Sequence, residues 1–251
     1  MTAPTPPTTP TTPTNSARTP IDIGIVALDR PGWNEADRLI AALGESVSFY
    51  KVGLELFTSE GPAVVRELTG RGKRVFLDLK LHDIPNTAAG AARAAGRLGV
   101  ELLTVHASGG TEMVRAAVEA AREASGGRTR VLAVTVLTSL APDRLPASFR
   151  TDRTLSAMVL DLAAESLAAG AAGLVCSGEE VAALRRHAGT DTLLVVPGTR
   201  PLGADAQDQA RVVTPKAALE SGADQLVVGR AVTAAADPRA AWQSFWHEAG
   251  I

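Results

Sequence analysis

From Ile21 onward the chain repeats one pattern: a short apolar run, a loop, then a longer stretch whose apolar positions recur at helical spacing. The apolar runs predict strands at Ile23–Leu28, Ser48–Val52, Arg74–Lys80, Leu102–His106, Val131–Leu137, Gly173–Cys176, Leu193–Val196 and Gln225–Val228. Between them the periodicity predicts helices over Trp33–Leu43, Glu60–Arg71, Thr87–Leu98, Met113–Glu123, Leu155–Ala168, Glu179–His187, Pro215–Glu220 and Pro238–Glu248. Near-continuous apolar strands belong to parallel sheets covered on both faces. Local signals agree. Thr214-Pro215 offers a capping hydroxyl followed by proline at the first helical position, and Gly99, Gly170 and Gly222 stand where a left-handed stop is expected. Eight strand–helix units in strict alternation predict an α/β fold of the TIM (β/α)₈ barrel type. An open doubly wound sheet would need a glycine-rich phosphate turn after its first strand, where this chain has Ala27-Leu28-Asp29-Arg30-Pro31.

One strand departs from the apolar rule. In Phe76-Leu77-Asp78-Leu79-Lys80-Leu81-His82-Asp83, alternation puts Asp78, Lys80 and His82 on one face and the three leucines on the other. A half-exposed strand with a solvated polar face would show the same alternation. The other strand ends decide against it, because active sites of these barrels lie at the carboxyl ends of the strands. Those ends carry Asp29 after strand 1, Lys51 on strand 2, Asp78 and Lys80 on strand 3, His106 on strand 4 and Thr138-Ser139 after strand 5. Charges of alternating sign thus converge on one mouth, and opposite charges keep each other ionised in a dry pocket. That is a costly arrangement for stability alone.

Strands 7 and 8 end in Gly198-Thr199-Arg200 and Gly229-Arg230. Barrels commonly bind phosphate at these two loops through backbone N–H groups, and arginine adds charge-assisted hydrogen bonds. A phosphate-bearing ligand is the prediction. The long connection from Arg200 to Val213, which includes Gln209, is a candidate lid.

Composition narrows the classes further. The 251 residues are 45% hydrophobic but only 4% aromatic, which suits helices on parallel strands. A net charge of −2 with mixed signs gives no electrostatic case for nucleic acid or an anionic membrane as partner. Residues 1–20 hold eight threonines and six prolines, and are predicted to be a disordered tail before a barrel domain at 21–251. With no secretory h-region and no run long enough to span a bilayer, the expected location is cytoplasmic. Cys176 stands alone in an apolar run, and His82, His106, His187 and His247 show no paired ligand spacing, so no metal site is expected.

The segment Asp78 to Thr87 reads Asp-x-Lys-x-x-Asp-Ile-Pro-Asn-Thr, the core pattern of the orotidine 5′-phosphate decarboxylases of the common bacterial type. Ala-Leu-Asp29, Lys51-Val-Gly, Val-His106-Ala-Ser-Gly-Gly, Leu-Thr138-Ser139, Pro-Gly-Thr-Arg200, Gln209 and Val-Gly229-Arg230 extend the resemblance from Ile25 to Val232. The resemblance implies cofactor-free loss of CO₂ from orotidine 5′-phosphate (OMP) to give UMP, the last step of de novo pyrimidine synthesis. It implies that Lys80 donates a proton to C6 of the pyrimidine, that Asp78 lies near the departing carboxylate, and that Lys51 bridges Asp78 and the ribose. Asp29 would bind a ribose hydroxyl, Thr138 and Ser139 would face the base, and Arg200, Gln209, Gly229 and Arg230 would hold the phosphate. Asp83 and Thr87 would reach into the neighbouring subunit's site, which implies a homodimer with shared active sites. Two other readings are a metal-dependent sugar-phosphate lyase of the same superfamily and a barrel that binds phosphate ligands without turnover.

Overall fold

The structure is a computed structural model, and it describes residues 19–140, 143, 145, 152–201 and 213–251. Eight parallel strands close into a barrel in chain order: β1 (Gly24–Ala27), β2 (Phe49–Gly53), β3 (Arg74–Leu81), β4 (Leu102–His106), β5 (Arg130–Val134), β6 (Gly173–Val175), β7 (Leu193–Val196) and β8 (Gln225–Val228). The (β/α)₈ expectation holds, and β8 pairs back onto β1 through Ile25↔Val227. Apart from the end of β3, the strands are buried along almost their whole length, which is why most read as near-continuous apolar runs.

The helices are α1 (Pro20–Ile23), α2 (Trp33–Leu43), α3 (Leu54–Glu60), α4 (Ala63–Gly70), α5 (Pro85–Arg97), α6 (Gly110–Ser125), α7 (Leu155–Ala168), α8 (Val181–Ala188), α9 (Pro215–Glu220), α10 (Arg230–Thr233) and α11 (Pro238–Ala249). Three differ materially from expectation. The segment predicted as one helix over Glu60–Arg71 is two, because Gly61 takes φ +63 and Pro62 follows it with no N–H to donate. The short α10, directly after β8, is too brief to show a period in the sequence. The Thr/Pro tail was expected to run to residue 20, but Pro20 already opens α1, with the Asp22 carboxylate accepting from the Thr19 N–H at 3.1 Å. Residues 1–18, on which the rest of that expectation falls, lie outside the described residues. Strand β5 was expected to continue to Leu137 but stops at Val134, releasing Thr138 and Ser139 into a loop over the barrel mouth.

Two apolar layers hold the architecture. The first fills the barrel itself: Ile25, Ala27, Phe49, Phe76, Leu102, Leu132, Val134, Val175, Val195 and Val227. The second lies between barrel and helices, where outward strand residues such as Leu77, Leu103 and Leu194 meet the apolar stripes of the helices. At the amino end of the barrel Arg74 lies 4.1 Å above the Phe49 ring and pairs with Glu101 at 2.7 Å, closing that side. Among the described residues no helix is long and apolar enough to cross a membrane.

Candidate active site

A cavity of about 610 Å³ opens at the carboxyl ends of the strands. Its floor is the top of the inner apolar layer, formed by Ala27, Phe76, Val175 and Val227. Around that floor stand Asp29, Lys51, Asp78, Lys80, Thr138, Ser139, Arg200, Gly229 and Arg230. Nine residues expected from the sequence are therefore gathered in one place. Asp83 and Thr87 are not: both are exposed, on the turn after β3 and the first turn of α5, outside their own chain's cavity. Gln209 lies outside the described residues.

The charged groups form a chain across the first three strands. Lys51 Nζ stands 2.9 Å from Asp29 Oδ1 and 3.7 Å from Asp78 Oδ2. Lys80 Nζ donates to both Asp78 oxygens at 2.8 Å. Asp78 and Lys51 are buried, Lys80 half-buried, and Asp29 opens to solvent. Burial raises the Asp78 carboxyl, but the charges of Lys51 and Lys80 and hydrogen bonds from Lys80 and Thr104 outweigh it, so its pKa lies below the ordinary value. The carboxylate is thereby kept ionised in a desolvated position and fixes the Lys80 ammonium above the apolar floor.

The strict alternation read from the sequence fails at one point. Lys80 has φ +49, the single positive value for a residue other than glycine among the described residues. The ladder shifts register there: Leu77 faces Leu103, while Leu81 already faces Val105. Strand β3 thus bulges over β4 at Asp78, Leu79 and Lys80. A left-handed conformation costs a side-chain-bearing residue about 1–2 kcal/mol, and such strain persists where surrounding structure over-determines it. Past the bulge His82 leaves the cavity and lies with its ring 5.3 Å from that of His106. Burial first, then the charges of His82 and Lys80, hold the His106 pKa below the ordinary histidine value, with Asp78 opposing. Its protonation is therefore favoured in the unfolded chain. As pH falls through the unfolded value of about 6.5, the unfolded state takes up the proton first and stability drops, until the folded pKa is passed. In urea unfolding, His106→Gln is expected to flatten the fall in midpoint between about pH 7.5 and 5.5. An unchanged slope would remove His106 as its cause.

On the opposite wall two guanidinium groups, those of Arg200 and Arg230, line the cavity. Arg200 is buried, its Nη1 donating to the Thr199 carbonyl at 3.0 Å, and among the described residues no carboxylate pairs with it. Burial and the nearby charge of Arg230 both lower its pKa. A buried guanidinium with a second positive charge nearby favours an anion beside it. Gly229 adds room: a side chain there would project into open space. The backbone leaves Arg200 by a bridge between Thr199 and Val213, which ties together the two ends of the 202–212 connection.

Three further residues line the cavity or support its charged groups and were not singled out by sequence. Arg30 lines the cavity, with its guanidinium donating to the Asp29 carbonyl at 3.3 Å and to the Thr233 carbonyl. It joins the loop of Asp29 to the far end of α10. Glu55, on α3, reaches the rim. Thr104, two residues before His106 on β4, is wholly buried against Asp78. Arg30 directly follows Asp29, and Thr104 lies one alternation before His106, on the same face of β4. Cys176 is buried, as expected. Among the described residues no three His, Cys, Asp or Glu side chains gather as a metal-binding group.

The profile of the orotidine 5′-phosphate decarboxylase / HUMPS family matches residues 25–245, almost the whole barrel. The chain belongs to that family. Within the decarboxylase/HUMPS family it is similar to the orotidine 5′-phosphate decarboxylase of Nostoc sp., with 49% identity over 228 residues, covering 89% of this chain and 95% of that protein. The enzyme of the same name from Anaeromyxobacter dehalogenans is 54% identical over 215 residues, covering 86% and 92%. Among solved structures, the orotidine 5′-phosphate decarboxylase of Lactobacillus acidophilus superposes with a TM-score of 0.80 at 38% identity, covering 92% of this chain and all of that one. The resemblance read from the Asp78–Thr87 segment is therefore correct.

Proposed function

We propose that this chain is a carboxy-lyase that converts orotidine 5′-phosphate to UMP and CO₂, the last step of de novo pyrimidine synthesis, without a cofactor. The observation that carries this reading is the placement of the Lys80 ammonium. Both oxygens of a buried Asp78 hold it over an apolar floor, across the cavity from the Arg200–Arg230 pair. The relatives' shared name agrees with it.

Loss of CO₂ leaves the electron pair of the broken C–C bond on C6 of the pyrimidine. That pair takes a proton from Lys80 Nζ, and the amine regains its proton from water. A carbanion without an electron sink depends on fixed charge nearby, and a preorganised ammonium provides it at no reorganisation cost. Decarboxylations this slow in water need barrier reductions at the upper end of the enzymatic range, roughly 20 kcal/mol, more than one lysine supplies. The remainder is drawn from binding remote parts of the substrate. Arg200, Gly229, Arg230 and Gln209 take the phosphate, Asp29 and Lys51 the ribose, and Thr138 and Ser139 the base. Asp78 lies by the departing carboxylate.

Asp83 and Thr87 complete the site of a second copy in a homodimer. Supporting this, they are exposed, as is Ile84 next to Asp83 in the chain at 66%, and Leu54 at the start of α3 is 57% exposed. Apolar side chains left open beside a functional mouth are typical of surfaces that another chain covers. The same reading assigns the enzyme to the cytoplasm, with neither nucleic acid nor membrane as a partner.

The test is the fall in absorbance of orotidine 5′-phosphate on adding the protein, with and without a strong chelator. Turnover that persists undiminished in chelator is the expected result. Complete loss in chelator would transfer the reading to a metal-dependent sugar-phosphate lyase, and binding of UMP with no turnover in either condition would reduce the protein to a nucleotide-binding barrel.

A further inference from the structure

The bulge of β3 carries the proposed proton donor, and a single side chain holds it. Where β3 slips over β4, the N–H of Lys80 is displaced from the strand ladder and donates instead to Thr104 Oγ1 at 2.9 Å. The same hydroxyl donates its one proton to Asp78 Oδ1, also at 2.9 Å. One oxygen thus fixes both ends of the unit that aims the ammonium, namely the backbone of Lys80 and the carboxylate that grips its Nζ. The direction of both bonds is determined, because a hydroxyl has one proton and Asp78 has none to give. Thr104 is wholly buried on β4 between the outward-facing Leu103 and Val105, so it has no solvent to exchange with.

We infer that Thr104 is a positioning residue for the decarboxylation: its hydroxyl pins the left-handed bulge of β3 and so determines where the Lys80 ammonium stands. This inference rests on Lys80 being the proton donor. Thr104 does not line the cavity, so its effect reaches the substrate only through Lys80 and Asp78. Without the hydroxyl, the Lys80 N–H is buried with no acceptor and Asp78 keeps only its lysine partners. The bulge then relaxes toward ordinary strand geometry, which turns the ammonium away from the floor. Reacting groups displaced by about 1 Å lose on the order of 100-fold in rate. The phosphate and ribose contacts, made on other strands, stay in place.

Three substitutions separate the hydroxyl from the volume it occupies. Thr104→Ser and Thr104→Ala remove the same methyl group and differ only in the hydroxyl, while Thr104→Val keeps the size and loses the oxygen. We expect kcat to fall roughly 10- to 100-fold in the alanine and valine chains and to stay within about threefold in the serine chain. UMP affinity should stay within about threefold in all three. The acid limb of the kcat profile should also move to higher pH in the alanine and valine chains. Asp78 is faced by Lys51 from β2, Lys80 from β3, Thr104 from β4 and, farther off, His106, and only the Thr104 bond is removed. A packing role alone leaves that limb where it is. Equal kcat in the serine and alanine chains overturns the inference, as does a loss of UMP affinity in step with kcat. Failure of the alanine and valine chains to fold, read from urea unfolding, would make Thr104 a requirement of the fold and overturn it too. Failure of the proton-donor reading shows separately, as retained turnover in Lys80→Ala.

Discussion

Lys80→Ala is expected to lose at least about 10⁴-fold in kcat while still binding UMP, because it removes both the proton source and the nearest positive charge. General acid catalysis contributes about 10²–10⁴-fold, and one preorganised charge about 10²–10³-fold more. The two losses compound, since both come from one Nζ. Binding should survive. The wall of Arg200, Gly229 and Arg230, proposed to hold the phosphate, and the Asp29–Lys51 pair stand at the ends of other strands. Asp78 is not stranded by the change, because Lys51 at 3.7 Å and the Thr104 hydroxyl remain beside it. Decarboxylation followed by absorbance and UMP titration by calorimetry give the two readouts. Turnover within about tenfold of the parent chain would remove Lys80 from the chemistry and reopen the assignment of the whole cavity.

Two inactive chains are expected to restore each other. In the proposed homodimer, Asp83→Ala should be nearly inactive because it lacks the carboxylate assigned to the neighbouring site, and Lys80→Ala because it lacks its own donor. Mixed in equal amounts and allowed to exchange subunits, half the dimers are hybrids. In each hybrid, one site combines the intact Lys80 of one chain with the intact Asp83 of the other. Half the dimers with half their sites working gives about one quarter of parental activity, a rise of several orders of magnitude over either variant alone. The geometry behind this is simple. The Asp83 carboxylate accepts from its own Ile84 N–H at 2.7 Å, on an exposed turn outside its chain's cavity. A double variant carrying both changes on one chain, mixed with Lys80→Ala, should recover nothing. No gain in the first mixture would place Asp83 outside any shared site.

Much of this site can be read along the chain because of how a parallel barrel is built. Each strand is buried on both faces, so a charged residue near its carboxyl end stands out against an apolar run, and eight such ends converge whatever the loops do. Asp78, Lys80, Lys51 and Arg200 are legible for that reason. Arg30 and Glu55 are harder to see, because each sits just past a strand among ordinary surface charges, and only closure of the barrel turns them toward the cavity. Thr104 is harder still. A threonine in a strand is what β-propensity favours anyway, so nothing in its type marks it as the partner of a carboxylate on the next strand.

By itself, then, the order of residues determined the alternation of strands and helices, the strand ends that carry charge, the glycine–arginine pairs after the last two strands and the family. These are properties of local pattern, and local pattern needs no knowledge of what lies across the sheet. Tertiary structure alone decided that β3 slips against β4, that Lys80 takes a left-handed backbone at the slip, that Thr104 receives its N–H, and that Asp83 and Thr87 turn away from their own cavity. Register between neighbouring strands is a pairing of distant segments. It is settled by which side chains can be buried together, and that balance exists only once the barrel has closed.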